Sequence, residues 1–348
     1  MNITDAIKKA VEGADLTTEE AESVLEQMMT GECTDAQIGA LLTALRMKGE
    51  AVEEVTGFAR VMRRKASAVR PTSGVSAEMG DTEREALIDT CGTGGDVSGT
   101  FNVSTAAAFV VSGCGVRVAK HGNRSATSLC GSADVVEALG VRIELSPERI
   151  AQCIDEIGIG FLHAPLLHQA MKYVAPARKQ IGVRTIFNML GPLTNPAGAN
   201  AQLVGVYAAH LTELLARVLG ELGSSRALVV HGSDGLDEIT ITSESRVTEW
   251  RDGRLTTYTV RPEDFDLERA ALTEIQGGDA RENSEIIIDI LKGRRGPRRD
   301  IVLLNAGAAL VAGGKADGFS GGVQLAADSI DTGAAMTKLE SLIAFTNR

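Results

Sequence analysis

The stretch 86-ALIDTCGTGGD-96 is followed by 101-FNVSTAAAFVVSG-113 and 116-VRVAKHGNRSATS-128. ALIDT is a short apolar run that stops at a cluster of glycines. STAAAFVVSG is a small-residue segment that suits a helix, and VRVAK is a second apolar run that stops at a polar cluster. The alternation goes on downstream. SADVVEAL reads as a helix, VRIEL as a strand, and SPERIAQCIDEI as a helix with Ser146 as cap and Pro147 in its first turn. IGFLHA, LVGVYA and ALVVH read as further strands. Strands alternating with helices imply an α/β domain with a mostly parallel central sheet. In such sheets the ligand crevice lies beyond the C-terminal strand ends. Three polar clusters fall there: CGTGGD, HGNRSATS and, after ALVVH, HGSDGLDE.

Upstream, the first ~66 residues read as helices. Thr17 with Glu20, and Thr34 with Gln37, make capping boxes before ESVLEQMM and IGALLTALRMK, and Gly31 and Gly49 end those helices. Ile38, Leu41, Leu42 and Leu45 have the spacing of one buried helical stripe. A further helix is expected over 51–66, and residues 70–85, rich in Gly, Ser and Thr, read as a linker or surface loop. The expected organisation is a helical domain over 1–70, joined by part of 180–200, and an α/β domain over 71–348. The Pro-, Gly- and Asn-rich stretch 188-NMLGPLTNPAGAN-200 reads as an excursion back to the helical unit, and the C-terminal part reads as helices that close the larger domain.

Bulk composition limits the function. The 348 residues are 44% hydrophobic and 23% charged, as in an ordinary globular protein of two domains. A chain of this size buries roughly three quarters of its unfolded surface and needs no staples. The 38 glycines with only 3% aromatics point to loops where backbone approaches a ligand closely. A net charge of −11 argues against a nucleic-acid partner, which needs a basic footprint. It does not exclude phosphates, since a few local cations and helix N-termini suffice. Five irregularly spaced cysteines without a C-x-x-C suggest reduced thiols in a cytoplasm. The start MNITDAIKKAVEGADLT has no apolar signal-peptide core, and no stretch offers the 18 or so apolar residues of a membrane span.

Four constellations carry chemistry. Gly92-Thr93-Gly94-Gly95-Asp96, with Asn102-Val103-Ser104-Thr105 at the next helix start, can turn backbone N–H groups toward an anion. The same residues also suit a plain strand–helix turn capped by Ser104 or Asn102. Lys120-His121-Gly122-Asn123-Arg124-Ser125, continued by Thr127, Ser128 and Ser132, offers two cations, an amide and four hydroxyls, an inventory for phosphate and sugar. Against that, Arg124 can simply pair with a surface carboxylate. Asp237-Glu238 suits Mg²⁺, which takes one or two carboxylates, waters and substrate phosphates; the alternative is a solvated acidic pair. In the segment from His168 to Arg178, Arg178 can hold a planar carboxylate through two parallel hydrogen bonds, or be an ordinary surface arginine. His163, His210 and His231 read as core or edge histidines. Cys91 and Cys130 flank the clusters without a base partner, so no thiolate nucleophile is expected.

Taken in order, D-T-C-G-T-G-G-D, N-V-S-T, K-H-G-N-R-S, G-S-A-D, A-P-A-R, G-V-R-T-I-F-N-M-L-G-P-L-T-N-P and H-G-x-D-G-L-D-E strongly resemble the anthranilate phosphoribosyltransferase family. The likeness extends to the N-terminal G-E-x-T-x-x-Q-I-G-A-L-L segment and the C-terminal L-N-A-G-A-A-L. The resemblance implies a small helical domain on a larger α/β domain of the nucleoside phosphorylase/phosphoribosyltransferase kind, paired into a homodimer through the helical part. It implies transfer of the 5-phosphoribosyl group of phosphoribosyl pyrophosphate to the amine of anthranilate, with Mg²⁺, in tryptophan biosynthesis. By the same resemblance, Gly92, Gly95, Asp96, Thr100, Asn102, Val103, Ser104, Thr105, Lys120, His121, Gly122, Asn123, Arg124, Ser125, Thr127, Ser128 and Ser132 surround the donor. Gly92, Asn123 and Arg178 meet anthranilate, and Ser104, Asp237 and Glu238 hold the metal. No residue is assigned as an acid or base catalyst. The chain departs from the family at Thr127, where Ser is common, at Leu129-Cys130, which replaces a frequent basic-Ser pair, and in a longer linker over 71–85. Two competing readings are a pyrimidine nucleoside phosphorylase and a divergent nucleic-acid-binding relative. Asn123, Arg178 and the acidic pair weigh against the first, the net charge against the second.

Overall fold

The computed structural model describes residues 1–72, 85–95, 99–125 and 129–348. Most of the expected linker, together with Asp96, Thr127 and Ser128, therefore lies outside the described residues.

The N-terminal helices α1 (Ile3–Val11), α2 (Thr18–Thr30), α3 (Asp35–Lys48) and α4 (Val52–Lys65) form where their caps place them. The Glu20 N–H donates to Thr17 Oγ1 at 3.3 Å while Glu20 Oε2 accepts the Thr17 N–H at 2.9 Å. Thr34 and Gln37 repeat the exchange at 3.3 and 3.0 Å. Each cap contributes about 1 kcal/mol. Gly31 closes α2 at φ +82°, a left-handed position natural to glycine. Ile38, Leu41, Leu42 and Leu45 are all buried, as their spacing requires. Glu54 is buried too, with its charge met: it accepts the Leu16 N–H at 2.9 Å and the Ala51 N–H at 2.8 Å, and pairs with the Lys48 ammonium at 3.0 Å.

Among the described residues the larger unit carries strands β1 (Leu87–Gly92), β2 (Arg117–Gly122), β3 (Ile159–His163), β4 (Ala201–Gly205), β5 (Arg226–Gly232), β6 (Ser245–Arg251) and β7 (Arg254–Val260). They lie in the order β3-β2-β1-β4-β5-β6-β7. The first five are mutually parallel, and β6 and β7 are antiparallel additions at one edge. Gly92 pairs with Gly205, Gly122 with His163, and Gly205 with Val230, so these C-terminal ends are flush along one edge.

Alternation along the strands serves two cores. Ile88, Val118, Leu203 and Leu228 point to a core shared with α5 (Val103–Gly113) and the C-terminal helices. Cys91, Val204 and Val229 point to a core shared with α1–α4. The intervening helices are α6 (Ser132–Ala138), α7 (Pro147–Ile157), α8 (Ala164–Leu167), α9 (Ala175–Ile181), α10 (Phe187–Leu193) and α11 (Leu211–Glu221). Four more close the fold: α12 (Ala280–Leu291), α13 (Pro297–Ala312), α14 (Phe319–Asp331) and α15 (Ala334–Thr346). Phe187 at the start of α10 meets Phe58 of α4 with ring centroids 6.1 Å apart. Among the described residues no helix is long and apolar enough to cross a membrane.

Two elements differ from the sequence reading. VRIEL (141–145) is not a strand. Its alternation is real, because Val141 and Ile143 are buried in the core. Burying one face, however, needs no ladder: the Arg142 N–H donates to Thr346 Oγ1 at 3.2 Å rather than to a neighbouring strand. The hairpin β6–β7 is an addition. Its turn, Asp252-Gly253, has both residues at positive φ, the signature of a two-residue hairpin loop.

Candidate functional site

The three clusters do converge on the flush strand edge. Gly92 ends β1, and a Cβ there would overlap the Asp237 carboxylate, which follows β5. The Gly94 N–H donates to Asp237 Oδ2 at 2.8 Å. Gly94 and Gly95 stand at φ +66° and +84°, where a side chain would be strained. Asp237 is buried and Glu238 half-buried, and the strap behind them is fixed by Asn305 of α13. Asn305 Oδ1 accepts the Ile239 N–H at 2.9 Å and its Nδ2 donates to the Ile239 carbonyl at 2.9 Å.

The second cluster joins from β2. The Lys120 ammonium, 3% exposed, donates to the Thr90 carbonyl and to Ser104 Oγ at 3.3 Å. It lies beneath the first loop, tied to the start of α5. Thr90 Oγ1 donates to the Ser104 carbonyl at 3.0 Å, so β1, β2 and α5 share one polar node. Val103 and Thr105 are buried, Val103 as part of the core. Asn102 is held by Asn283 of α12, whose Nδ2 donates to Asn102 Oδ1 at 3.0 Å. Thr100 bridges Gln276. Gly122 has no side chain because Ser132 Oγ and the Phe161 ring occupy that space. Ser132 Oγ accepts the Asn123 N–H at 3.2 Å.

Two residues of this cluster stand elsewhere than the sequence grouping places them. The His121 side chain is not with Lys120, because neighbours on a strand point to opposite faces. Its Nδ1 faces the Gly191 carbonyl of α10 at 3.2 Å, and its ring lies 5.2 Å from that of His168. Arg124 pairs with Asp134 at 2.9 Å and Glu137 at 2.7 Å on α6, the bland alternative for that residue. Asp134 also accepts the N–H groups of Ser125 at 3.2 Å and Gly131 at 2.9 Å, closing the loop at its base.

Behind the strand edge lies a second polar region. Arg178, half-buried on α9, stacks over the Phe187 ring at 5.0 Å, and burial lowers its pKa. No carboxylate among the described residues pairs with it. Burial pushes His121 down to about 3, with His168 beside it adding to the effect, and pushes His168 down to about 4. His121 Nε2 and both ring nitrogens of His168 are buried without a protein partner. Beneath them Asp89 is fully buried. Burial raises its pKa against the pull of Lys120, and it accepts the His121 N–H at 3.1 Å and Asn195 Nδ2 at 2.8 Å. The thiols stay protonated: burial pushes Cys91 well up and Cys130 to about 11.

The donor set fits Mg²⁺ in one way. Asp237, Glu238 and Ser104 are all hard oxygen donors, and the missing Cβ of Gly92 keeps space beside the Asp237 carboxylate. Among the described residues no group of three or more His, Cys, Asp or Glu is placed to hold an ion, so a protein-only cage is not built. Two carboxylates completed by waters and substrate phosphates match the habit of Mg²⁺.

Sequence reasoning did not find Asp89, Asn195, Asn283, Asn305 or Asp134 as parts of the site, and it gave His168 no role beyond opening its segment. Asp89, Asn195, Asn305 and Asp134 each stand in a quoted motif, D-T-C-G-T-G-G-D, L-T-N-P, L-N-A-G-A-A-L and G-S-A-D, whereas Asn283 carried no such signal.

Comparison with known proteins adds the family. Residues 84–336 match the model of the glycosyl transferase family a/b domain, and residues 4–66 match that family's helical bundle domain. The anthranilate phosphoribosyltransferase of Symbiobacterium thermophilum is 56% identical over 98% of this chain and 97% of its own length. That of Geobacter sp. M21 is 55% identical over 99% of both. Among solved structures, the anthranilate phosphoribosyltransferase of Thermus thermophilus superposes with a TM-score of 0.91 at 44% identity, covering 99% of this chain and all of the other. The Saccharomyces cerevisiae enzyme in complex with PRPP and Mg superposes with a TM-score of 0.88 at 27% identity, covering 99% of this chain and 98% of its own.

Proposed function

Since the chain belongs to the anthranilate phosphoribosyltransferase family, we propose that the crevice over β1, β2 and β5 holds phosphoribosyl pyrophosphate and that the region around Arg178 receives anthranilate. The protein is an enzyme that transfers the 5-phosphoribosyl group of phosphoribosyl pyrophosphate to the anthranilate amine, giving N-(5-phosphoribosyl)anthranilate and pyrophosphate in tryptophan biosynthesis. The observation that carries the site assignment is the meeting of the Gly92–Gly95 loop with Asp237, where a glycine-rich turn closes directly on a carboxylate at the strand edge.

The residues divide the work. Gly92, Gly94 and Gly95 present the loop to the pyrophosphate and ribose, while Thr100, Asn102 and the N-terminus of α5 complete its rim. Lys120 supplies positive charge from below, held in place by Thr90 and Ser104. Asp237, Glu238 and Ser104 hold Mg²⁺, which when bound neutralises charge on the leaving pyrophosphate. Asn123 and Ser132, tied to each other at the end of β2, stand between the two regions. His121 and His168, kept neutral by burial, offer ring nitrogens to the acceptor's polar edge, and Arg178 takes its carboxylate. The amine of anthranilate is neutral near pH 7, so it needs placement more than activation.

A fluorescence assay tests this. Anthranilate emission falls when protein, phosphoribosyl pyrophosphate and Mg²⁺ are mixed, and the loss stops when the metal is chelated. Unchanged emission at high enzyme concentration, with phosphorolysis of thymidine in its place, would move the site to the nucleoside phosphorylase reading. The protein acts in the cytoplasm with its cysteines reduced, as a homodimer joined through α1–α4. That unit leaves Val11 and Met47 71% and 83% exposed. Light scattering then gives twice 36.6 kDa, and a monomer mass rejects the dimer.

A further inference from the structure

Arg184 has no place in the roles above, yet it follows α9 in the chain and reaches the glycine loop in space. It lies in the short strap Gly182–Ile186 between α9, which carries Arg178, and α10, which carries Phe187. The strap is anchored at each end. The Gly182 N–H donates to the Arg178 carbonyl at 3.2 Å, and the Thr185 N–H donates to Asn188 Oδ1 at 2.9 Å. From there the Arg184 guanidinium reaches across to the glycine loop. It lies over the Tyr207 ring with 4.4 Å to the centroid, and its Nη2 donates to the Gly95 carbonyl. Gly95 is at φ +84°, and a Cβ there would stand 2.9 Å from that Nη2, so the contact depends on glycine. Tyr207 is itself part of the loop's support: its N–H donates to Thr93 Oγ1 at 3.2 Å, and the Thr93 N–H donates to the Gly205 carbonyl at 2.9 Å.

We infer that Arg184 is a positioning residue that couples the two substrate sites, so that filling the acceptor region tightens the loop's hold on pyrophosphate. The inference rests on the assignment of the loop to the donor and of Arg178 to anthranilate. A carboxylate drawn onto Arg178 orders α9 and the strap that follows it. Arg184 passes that order to the Gly95 carbonyl, and the cost of ordering the loop is then met once for both ligands. Coupling of this kind is reciprocal, so pyrophosphate tightens anthranilate by the same factor. Lysine cannot reproduce it, because one planar group must stack on Tyr207 and donate in its plane at the same time.

Calorimetric titration of the full chain with Mg²⁺-pyrophosphate, with and without saturating anthranilate, reads the coupling directly, since without a ribose donor nothing turns over. The wild-type protein binds pyrophosphate about fivefold or more tightly in the presence of anthranilate, and the reverse titration returns the same factor. In Arg184→Met and in Tyr207→Leu the factor drops to near one, while pyrophosphate alone binds within about threefold of wild type, the loss of one exposed cation–π contact. Arg184→Lys stays well below wild type. A purely structural defect lowers the binding stoichiometry and leaves the ratio of dissociation constants alone. A wild-type factor of one, or an unchanged factor in both Arg184→Met and Tyr207→Leu, overturns the inference. Wild-type protein that bound neither ligand would overturn the site assignment itself, and the coupling with it.

Discussion

The proposed donor edge and the proposed acceptor region are built differently. The donor edge comes from short contiguous stretches, 92–95, 99–105, 122–125 and 237–238 with Lys120, that lie at or after strand ends or lead into α5 and offer backbone and small polar side chains. The acceptor region gathers His121 and His168 at Gly191 of α10, and Arg178 at Phe187 of the same helix, from separate stretches of chain. The first depends on what the backbone can do where side chains are absent. The second depends on which side chains the two cores push together. A donor rich in phosphate can be met by repeated N–H groups, whereas one small aromatic acid needs a few groups at fixed positions.

The largest effect is expected at the donor edge. Gly92→Ala puts a methyl group into the space of the Asp237 carboxylate. Displacing that carboxylate by about 1 Å lowers kcat/KM by about a hundredfold or more. Steady-state rates check this, with circular dichroism showing the fold retained; a tenfold loss or less would mean the close approach is incidental. Next comes Arg178→Ala. Losing a charge-assisted pair of hydrogen bonds raises the anthranilate KM by roughly ten- to a hundredfold, while pyrophosphate binding stays within twofold. Equal losses for both ligands would erase the division between the regions.

The smallest effect is in stability. His121 and His168 titrate near 3 and 4 in the folded chain, against about 6.5 when unfolded. Between those values the unfolded chain binds protons that the folded chain refuses, so stability falls as pH drops from about 6.5 toward 4. Asp89 works the other way. Its raised pKa lets the folded chain keep a proton that the unfolded chain has released, so its contribution is lost as pH rises above the ordinary range of an aspartate. His168→Leu therefore flattens the acid decline of Tm without reversing its sign, because His121 remains. Calorimetric scans at several pH values check this, and slopes identical to wild type would remove His168 from the account.

Much of the helical unit and of the strand edge was legible because glycine and cap signals are local. Gly31 and the two capping boxes stand where the sequence puts them, and the three clusters meet at one edge because parallel strands end together. The hairpin β6–β7 was legible too, through Asp252-Gly253, but went unread. VRIEL misled because period-two burial is shared by a strand and by an extended segment laid on a core. His121 and Lys120 share one polar cluster in sequence, although alternation alone separates their faces.

By itself the sequence determined the class of fold, the places where helices start and stop, and the chemistry gathered at the strand ends, since each follows from residues within a few positions of one another. Only the tertiary structure decided that Arg124 is tied to Asp134 and Glu137, that Asp89 and Asn195 hold the floor, and that Arg184 reaches Gly95. Those contacts join residues up to 106 positions apart, as Asp89 and Asn195 are. At that separation no local pattern records which partner is met, because the choice is made by how the two cores pack.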